Sequence, residues 1–384
     1  MSRYRAARPC LALSLFAAAT IAFGCGVAEE SAPRDDDAGN APAVDAGVDA
    51  SPTNPGADEA GRKEYWPDGA GDSWETVSPE AAGWNGQKLD EALAFAETRA
   101  STAFVILVGG RILAERYWQG WDRHSHGQIF SATKSFASVL TGIAQQRGML
   151  AVSDTVTKHL GAGWSKAPAA SEATITLEHL LTMSSGLDDD LVPVGEPGQK
   201  WYYSTGAYVK LLQVLDKVTG DLRAFSQEAL FSKIGLKDSA WAPGGQTIDA
   251  SALDMARFGL MMLRGGRWAS GDVLADKTYV VAATTTSQPL NLSYGRLFWL
   301  NGKASFVAPT DTPPVTGSLV PAAPADMVMA LGKGDKKIYA VPSRHWVVVR
   351  HGASAGPRAS LASSTFDNEL WEKLMAAAPA AEKP

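Results

Sequence analysis

Segments with the sequence character of β-strands lie near both ends of the folded part of the chain, and helical segments fill the region between them. The stretch "TAFVILVGGRILAERYW" (102–118) contains two apolar runs joined at Gly109-Gly110, which predicts a β-hairpin. Near the other end, "KIYAV" and "WVVVR" flank residues 342–345. This order predicts an α+β fold, in which one antiparallel sheet is built from both chain ends and flanked by helices, with an all-α insertion domain beside it.

The helical segments are recognised by apolar residues that recur at three- and four-residue spacing. Such spacing occurs in "KLDEALAFAETR" (88–99), in "FDNELWEKLMAAA" (366–378) and repeatedly between about 151 and 285. We therefore expect one folded domain over 65–384. Its α/β part is expected at about 75–150 and 286–384, and its helical part at about 151–285.

The first 64 residues do not have the composition of a folded domain. Arginines precede the apolar run 11–23, as in a signal peptide, and the run ends in "AFGC" at Cys25, which resembles a lipobox. We expect residues 1–25 to be a signal or lipoprotein leader with Cys25 as the lipid attachment site. Residues 26–64, rich in Ala, Asp and Pro, are expected to form a disordered acidic linker. The expected product is an exported lipoprotein, periplasmic or anchored to the outer membrane only through its lipid, and ordinary secretion is the alternative.

The cysteines and the net charge exclude several kinds of chemistry. Cys10 and Cys25 are the only cysteines, and both lie in the leader, so the folded domain has no cysteine nucleophile, disulfide or cysteine-ligated zinc. His124 and His126 lack the spacing of a zinc-protease motif and are better explained as a surface pair. We predict no metal and no cofactor. A net charge of −6 does not suggest a nucleic-acid partner.

One serine and one lysine share the start of a predicted helix. In "QIFSATKSFASVLTGIAQQRG" (128–148), Ser131 is the only serine of the chain that has a lysine three positions later. Residues three apart lie on one helix face, so Lys134 could take the proton whose loss makes Ser131 a nucleophile. The helix start also supplies N–H groups that could hold an oxyanion. The spacing alone fits an ordinary solvated first turn at least as well.

Several segments resemble, in order, those of the serine β-lactamase and penicillin-binding-protein superfamily. They are "FSATKSFASVLTGIAQQRGMLAVSDTV" (130–156), "ITLEHLLTMSSGLDDD" (175–190), "PGQKWYYSTGAYVKLLQVLDKVTG" (197–220), "DASALDMARFGLMMLRGGRW" (249–268) and "YGRLFWLNG" (294–302). The resemblance implies the β-lactamase/transpeptidase fold, with Ser131 as nucleophile and Lys134 as its base partner. It also implies Tyr203 as the residue that passes a proton to the leaving group. Thr205 stands where the family usually has an asparagine, which puts that residue's hydrogen bond to the substrate or to Lys134 in doubt.

The third motif of the superfamily, K-T-G or H-x-G, is absent from the chain. The stretch "MALGKGDKKIYAVPSRHWVVVRHG" (329–352) resembles instead the strand pair of the esterase-like and 6-aminohexanoate-oligomer-hydrolase-like subgroup. In that register the resemblance implies Gly332 as the family's glycine and Lys333 as the donor of the second oxyanion N–H. Ala330 takes the place of the cation that holds a substrate carboxylate. Three arginines could replace that cation from elsewhere: Arg344, Arg350 and Arg358.

Three functional hypotheses follow. The favoured one is hydrolysis of a small-molecule carboxylic ester or linear amide through an acyl-enzyme on Ser131, because the carboxylate-binding cation is missing. The alternatives are a β-lactamase or D-amino-acid peptidase, and, from another class, a catalytically silent tethered binding or sensing module. Ser354 in "GASAG" is a rival nucleophile, but Pro357 interrupts any following helix and no histidine occurs after it. We therefore interpret Ser354 as part of a loop.

Overall fold

The computed structural model describes residues 64–68, 72–309, 313–356 and 364–380. The predicted leader, Cys25 and almost all of the predicted linker lie outside these residues. Among the described residues, no helix has both the length and the apolarity needed to cross a membrane.

The described chain contains thirteen short to medium strands and eleven α-helices. The strands are β1 Ser101–Val108, β2 Arg111–Tyr117, β3 His126–Gln128, β4 Ala240–Trp241, β5 Ile248–Ser251, β6 Arg267–Trp268, β7 Gly271–Asp272, β8 Trp299–Leu300, β9 Ser305–Phe306, β10 Val315–Thr316, β11 Val328–Gly332, β12 Lys336–Val341 and β13 Trp346–Gly352. The helices are α1 Gly86–Thr98, α2 Thr133–Gln146, α3 Val156–Leu160, α4 Ala169–Glu172, α5 Leu177–Leu181, α6 Thr205–Thr219, α7 Leu222–Ser226, α8 Ser232–Ile234, α9 Ala252–Leu263, α10 Lys277–Thr284 and α11 Thr365–Ala377.

The main sheet is antiparallel and combines both ends of the domain, as predicted. Its six strands lie in the order β2-β1-β13-β12-β11-β8. The N-terminal strand β1 pairs with the C-terminal strand β13, with Val105 opposite Val349. Most β1 and all β13 side chains are buried, so neither strand shows an alternation of buried and exposed side chains. Both strands of this pair therefore lie inside the sheet and not at its edges.

The β1–β2 hairpin turns at the predicted glycines. Gly109 and Gly110 have φ of 57° and 88°, in the left-handed region that favours glycine. A Cβ on Gly110 would lie 2.8 Å from the carbonyl oxygen of Tyr65. The turn thus requires glycine both for its backbone conformation and for the close approach of the chain.

Helices cover both faces of the main sheet. A Cβ on Gly259 of α9 would lie 2.9 Å from the Ile338 side chain of β12. The next residue, Tyr339, packs edge-on against Trp371 of α11. Consecutive strand residues point to opposite faces, so α9 lies on one face and α11 on the other, where α11 packs against α1. The flanked sheet that the sequence predicts is confirmed.

The central block is mainly helical but is not the all-α insertion that we predicted. The short strand β5 pairs with both β3 and β4 in a three-stranded sheet, and β6 pairs with β7. Strands of two to four residues are too short to show an alternating apolar pattern, which is why the sequence did not indicate them. The small sheet matters for function because it holds the chain that precedes α2.

A buried polar network joins the end of the main sheet to α11. The ammonium of Lys337, with no exposed side-chain surface, lies 3.3 Å from Asp335 and 3.0 Å from Asp367. The Tyr339 hydroxyl donates to the same Asp367 carboxylate at 2.5 Å. Because a buried charge that loses its partner is strongly destabilising, this network fixes β12 against α11.

Candidate active site

The segment that carries Ser131 is held between the small sheet and α2. Ile129 donates its N–H to the carbonyl of Ile248 in β5, and residues Phe130–Ala132 form one 3₁₀ turn before α2 begins. Phe130 has a φ of 47°, a conformation that is costly for a residue other than glycine and is frequent at functional sites. Ser131 therefore lies half-buried in a tight turn directly before the helix, and not inside the regular helix that its spacing predicted.

Lys134 lies in the first turn of α2 and reaches back to Ser131. Its Nζ donates to Ser131 Oγ at 3.1 Å. The side chain is almost completely buried, and its Nζ lies 5.0 Å from the ring centre of Tyr203 and 4.5 Å from that of Tyr208. Burial lowers the pKa of Lys134 to about 8, and the negative charge of Asp189 partly opposes this shift. The environment thus makes the neutral amine accessible near neutral pH.

Tyr203 completes this group from the loop before α6. Burial raises the pKa of its hydroxyl to about 12, while a hydrogen bond with Ser131 acts in the opposite direction. Its ring stacks on Trp299, with ring centres 5.9 Å apart. Tyr203, and not its neighbour Tyr202, lines the cavity around Ser131. The structure therefore brings together the three residues that the sequence predicted as catalytic.

A cavity of about 150 Å³ opens at these side chains. Its lining combines the predicted nucleophile and tyrosine with residues from β11, from the start of α6 and from three loops: Ser131, Asp189, Tyr203, Thr205, Pro309, Leu331 and Lys333. Thr205 and Lys333 were both predicted at the site, and both lie on its wall. The cavity has room for a small group, which agrees with a small-molecule substrate.

Gly332 does not line the cavity, but it lets β11 lie against the turn of Ser131. A Cβ on Gly332 would lie 2.1 Å from the carbonyl oxygen of Ile129 and 3.2 Å from the N atom of Ala132. Both are backbone atoms, which cannot rotate away. Glycine is thus required here for a close backbone approach, and this approach brings Lys333, the next residue, to the cavity.

We expect Gly332→Ala to reduce both stability and activity. The added methyl group must push β11 away from the Ser131 turn, at a cost of about 1–3 kcal/mol, and it should lower activity by about 10- to 100-fold because Lys333 moves at the cavity wall. Thermal melting and initial-rate measurements check this. The matched control is Gly356→Ala, whose Cβ would make an ordinary 3.5 Å contact with the Thr365 side chain. Full activity in Gly332→Ala would show that the spacing of β11 from Ser131 does not matter.

None of the described arginines replaces the missing cation of the third motif. Ala330 is buried at the family's cation position. Arg344 donates to the carbonyl of Pro379 and lies over the Trp346 ring, and neither residue lines the cavity. Arg350 is fully buried and donates to backbone carbonyls and to the Ser101 hydroxyl. The suggestion that Arg344 or Arg350 holds a substrate carboxylate is therefore wrong, and Arg358 lies outside the described residues.

Asp189 is a cavity residue that the sequence analysis did not single out. It follows α5 by a loop, and its Oδ1 accepts the backbone N–H of Thr205 at 2.6 Å. Thr205 is the first residue of α6, where a negative charge is favourable. The sequence shows a run of three aspartates in "SSGLDDD", but it does not indicate which of them lines the cavity with Ser131.

Ser354 lies in a loop and the histidine pair lies at the surface, as the sequence predicts. Ser354 is exposed in an irregular segment, and no described helix follows it before α11. His124 and His126 are also exposed, and His126 Nδ1 contacts the carbonyl oxygen of His124. In the part of the chain that the structure describes, no group of three or more histidine, cysteine, aspartate or glutamate side chains is arranged to hold a metal ion.

Solved structures with the same fold come from several bacteria. A protein of Bacillus anthracis described as a 6-aminohexanoate-dimer hydrolase superposes with a TM-score of 0.60 and 17% identity, over 82% of this chain and 88% of its own. A penicillin-binding-protein homolog of Caulobacter crescentus gives 0.58 and 15%, over 77% and 99% of the two chains. A beta-lactamase/D-alanine carboxypeptidase of Yersinia pestis gives 0.56 and 15%, over 76% and 97%. At these identities the likeness shows the fold alone.

Comparison of the sequence with known proteins identifies the family to which the chain belongs. An uncharacterized protein of Alkalihalophilus pseudofirmus is 26% identical over 151 residues, and the match spans 35% of this chain and 43% of that relative. The family model described as Beta-lactamase matches residues 87–313, which is more than half of the chain and includes Ser131, Lys134 and Tyr203. The chain belongs to the beta-lactamase family.

Proposed function

We propose that this protein is a serine hydrolase that cleaves a carboxylic ester or a linear amide through an acyl-enzyme on Ser131. The observation that carries the proposal is the 3.1 Å contact between Lys134 Nζ and Ser131 Oγ, inside a buried aromatic environment and at the wall of a small cavity. A serine with a buried lysine in hydrogen-bond reach is the arrangement that nucleophilic catalysis requires.

The proposed reaction has two steps. Neutral Lys134 takes the Ser131 proton while Oγ attacks the substrate carbonyl carbon, and the N–H groups of Ser131 and Lys333 hold the oxyanion. The C–O or C–N bond then breaks, and Tyr203 passes the proton from Lys134 to the departing alcohol or amine. A water molecule next gives its proton to the same groups, attacks the acyl carbon and releases the acid, and Ser131 recovers its proton.

The proposed substrate preference rests on Ala330, which occupies the position of the cation in the third motif of the family. Ala330 is apolar, and the described arginines do not reach the cavity, so the position lacks the cation that the family uses for a substrate carboxylate. This favours esters and linear amides that lack a carboxylate over β-lactams and D-peptides. Lys333 is a cationic residue at the cavity wall and could hold a substrate carboxylate. Hydrolysis of β-lactams or D-peptides is therefore the second candidate function.

A chromogenic panel tests the proposal. We expect turnover of a short-chain p-nitrophenyl ester to exceed that of nitrocefin, with 6-aminohexanoate dimer as the linear-amide probe. Faster nitrocefin turnover would favour the β-lactamase alternative. A catalytically silent binding or sensing module would turn over none of the three compounds.

The pH dependence of catalysis follows from the lowered pKa of Lys134. Only the neutral amine can take the Ser131 proton, and burial places the pKa of Lys134 at about 8. Below that pH the neutral fraction falls tenfold per unit, so kcat/KM for an uncharged ester should rise with pH and level off above about pH 8. At pH 6 it should be about one hundredth of the plateau. A profile that is flat from about pH 6 to about pH 9 would show that Lys134 does not act as the base.

We also propose export and lipid attachment at Cys25, followed by an acidic linker. The arginine-rich start, the apolar run and "AFGC" support this proposal. Metabolic labelling with an alkyne fatty acid in a bacterial host should mark the protein, and Cys25→Ser should remove the label. Labelling that persists in Cys25→Ser would contradict attachment at this residue.

A further inference from the structure

Asp189 stands where two spaces meet. One is the small cavity at Ser131, and the other is an open groove of about 710 Å³ that runs along the start of α6 past Gly206 and Val209. Asp189 and Thr205 line both spaces. A substrate whose carbonyl carbon lies at Ser131 and whose remaining part extends into the groove must therefore pass the Asp189 side chain.

The position of Asp189 is fixed by the backbone of α6. The Thr205 N–H donates to Asp189 Oδ1, and a Cβ on Gly206 would lie 2.2 Å from the Asp189 carbonyl oxygen. The Ser204 hydroxyl donates to the carbonyl of Asp188 at 2.8 Å. These contacts hold the loop against the helix start, so the carboxylate is already placed before a ligand binds, which lowers the entropic cost of binding.

These contacts do not neutralise the negative charge of Asp189. Only Oδ1 takes part in the hydrogen bond with Thr205. The ion pairs of the described residues do not include Asp189, although its charge acts at longer range on Lys134. Lys210, farther along the groove, donates to Gln213 at 3.2 Å instead. Lys333 lines the small cavity but not the groove. The groove side of Asp189 therefore offers an exposed carboxylate to a ligand.

We propose that Asp189 binds a cationic group of the substrate, an amine or a quaternary ammonium, and thereby selects cationic esters or amides over neutral ones of the same shape. This inference rests on the proposed hydrolase function, because it assigns the part of the substrate that extends from the scissile carbonyl. A charge-assisted contact at a partly exposed carboxylate supports a preference of about three- to tenfold.

Isosteric ester pairs test the inference on the full chain. The first pair is acetylcholine and 3,3-dimethylbutyl acetate, with the charge in the alcohol part. The second is the p-nitrophenyl esters of 4-(trimethylammonio)butyrate and 5,5-dimethylhexanoate, with the charge in the acyl part. We expect kcat/KM to favour the cationic member by about three- to tenfold in at least one pair. The preference should shrink as ionic strength rises, because the carboxylate is exposed.

Asp189→Asn is the decisive variant because the amide oxygen can still accept the Thr205 N–H while the charge is gone. It should bring the cationic-to-neutral ratio close to one. Any indirect effect on Lys134 changes both members of a pair equally and cancels in that ratio. Asp90→Asn, on α1 and away from the cavity, should keep the wild-type ratio.

Four outcomes are informative. Equal rates for both members of both pairs would overturn the inference, and so would an unchanged preference in Asp189→Asn. If neutral esters are hydrolysed and Ser131→Ala abolishes that hydrolysis, the hydrolase proposal survives such a failure. If Ser131→Ala keeps the wild-type rates, the hydrolase proposal itself fails.

Discussion

Ser131→Ala should abolish ester hydrolysis, with kcat/KM lower by at least about 10⁴-fold. The variant removes the hydroxyl oxygen that accepts from Lys134 Nζ at the cavity wall. What remains is binding and oxyanion stabilisation, which cannot replace the nucleophile. Initial rates with a p-nitrophenyl ester measure the loss. The fold should be unaffected because the change removes one half-buried hydroxyl group, and circular dichroism checks this.

The control for this experiment is Ser354→Ala. Ser354 matches a nucleophile-elbow pattern in the sequence, but it is exposed on an irregular segment and does not line the cavity. We expect wild-type rates from Ser354→Ala. Loss of activity in this variant, together with activity in Ser131→Ala, would move the nucleophile to the other serine and contradict the account of the site.

Lys134→Met should lose activity by at least about 10³-fold and at the same time make the protein more stable. Methionine keeps an unbranched chain between the rings of Tyr203 and Tyr208 but has no basic nitrogen, so Ser131 loses its proton acceptor. The amine is buried and its pKa is lowered from 10.5 to about 8. The charged form is therefore less favourable in the folded state than in the unfolded state.

The sign of the stability effect follows from that shift. The folded state is destabilised fully below pH 8, where both states are protonated, and the penalty disappears as the pH rises through 10.5. Its size, at about 1.4 kcal/mol per unit, is on the order of 3 kcal/mol. Lys134→Met should therefore have the higher melting temperature at pH 7, and the difference should narrow near pH 10. A less stable Lys134→Met variant would indicate that Lys134 is needed for the fold.

The sequence predicts the parts of this protein that depend on local pattern. The glycine turn of β1–β2, the strands β12 and β13, and the helices α1 and α11 are encoded in consecutive residues. The proximity of Ser131 and Lys134 follows from helical spacing, although the serine itself occupies a 3₁₀ turn. Tyr203 lies more than 60 residues farther along the chain, so only the resemblance to a family predicted that it belongs to the same site.

The parts that the sequence does not predict depend on tertiary contacts. The direction of the Asp189 side chain is set by the Thr205 N–H and by the absence of a side chain at Gly206, neither of which can be inferred from a run of aspartates. The sequence allows an arginine near the C-terminus to reach the substrate, but Arg350 is buried and donates to the backbone carbonyls of Asp335 and Arg99. The short strands of the small sheet leave no periodic signal.

The residue that becomes acylated can be identified directly. Incubation of the full chain with a fluorophosphonate, followed by digestion and mass spectrometry, should place a single covalent adduct on Ser131 in the peptide that contains "FSATK". The adduct should be absent from Ser131→Ala and should form much more slowly in Lys134→Met. An adduct on another serine, or labelling of the wild-type chain that is no faster than that of Ser131→Ala, would contradict Ser131 as the acyl-forming nucleophile.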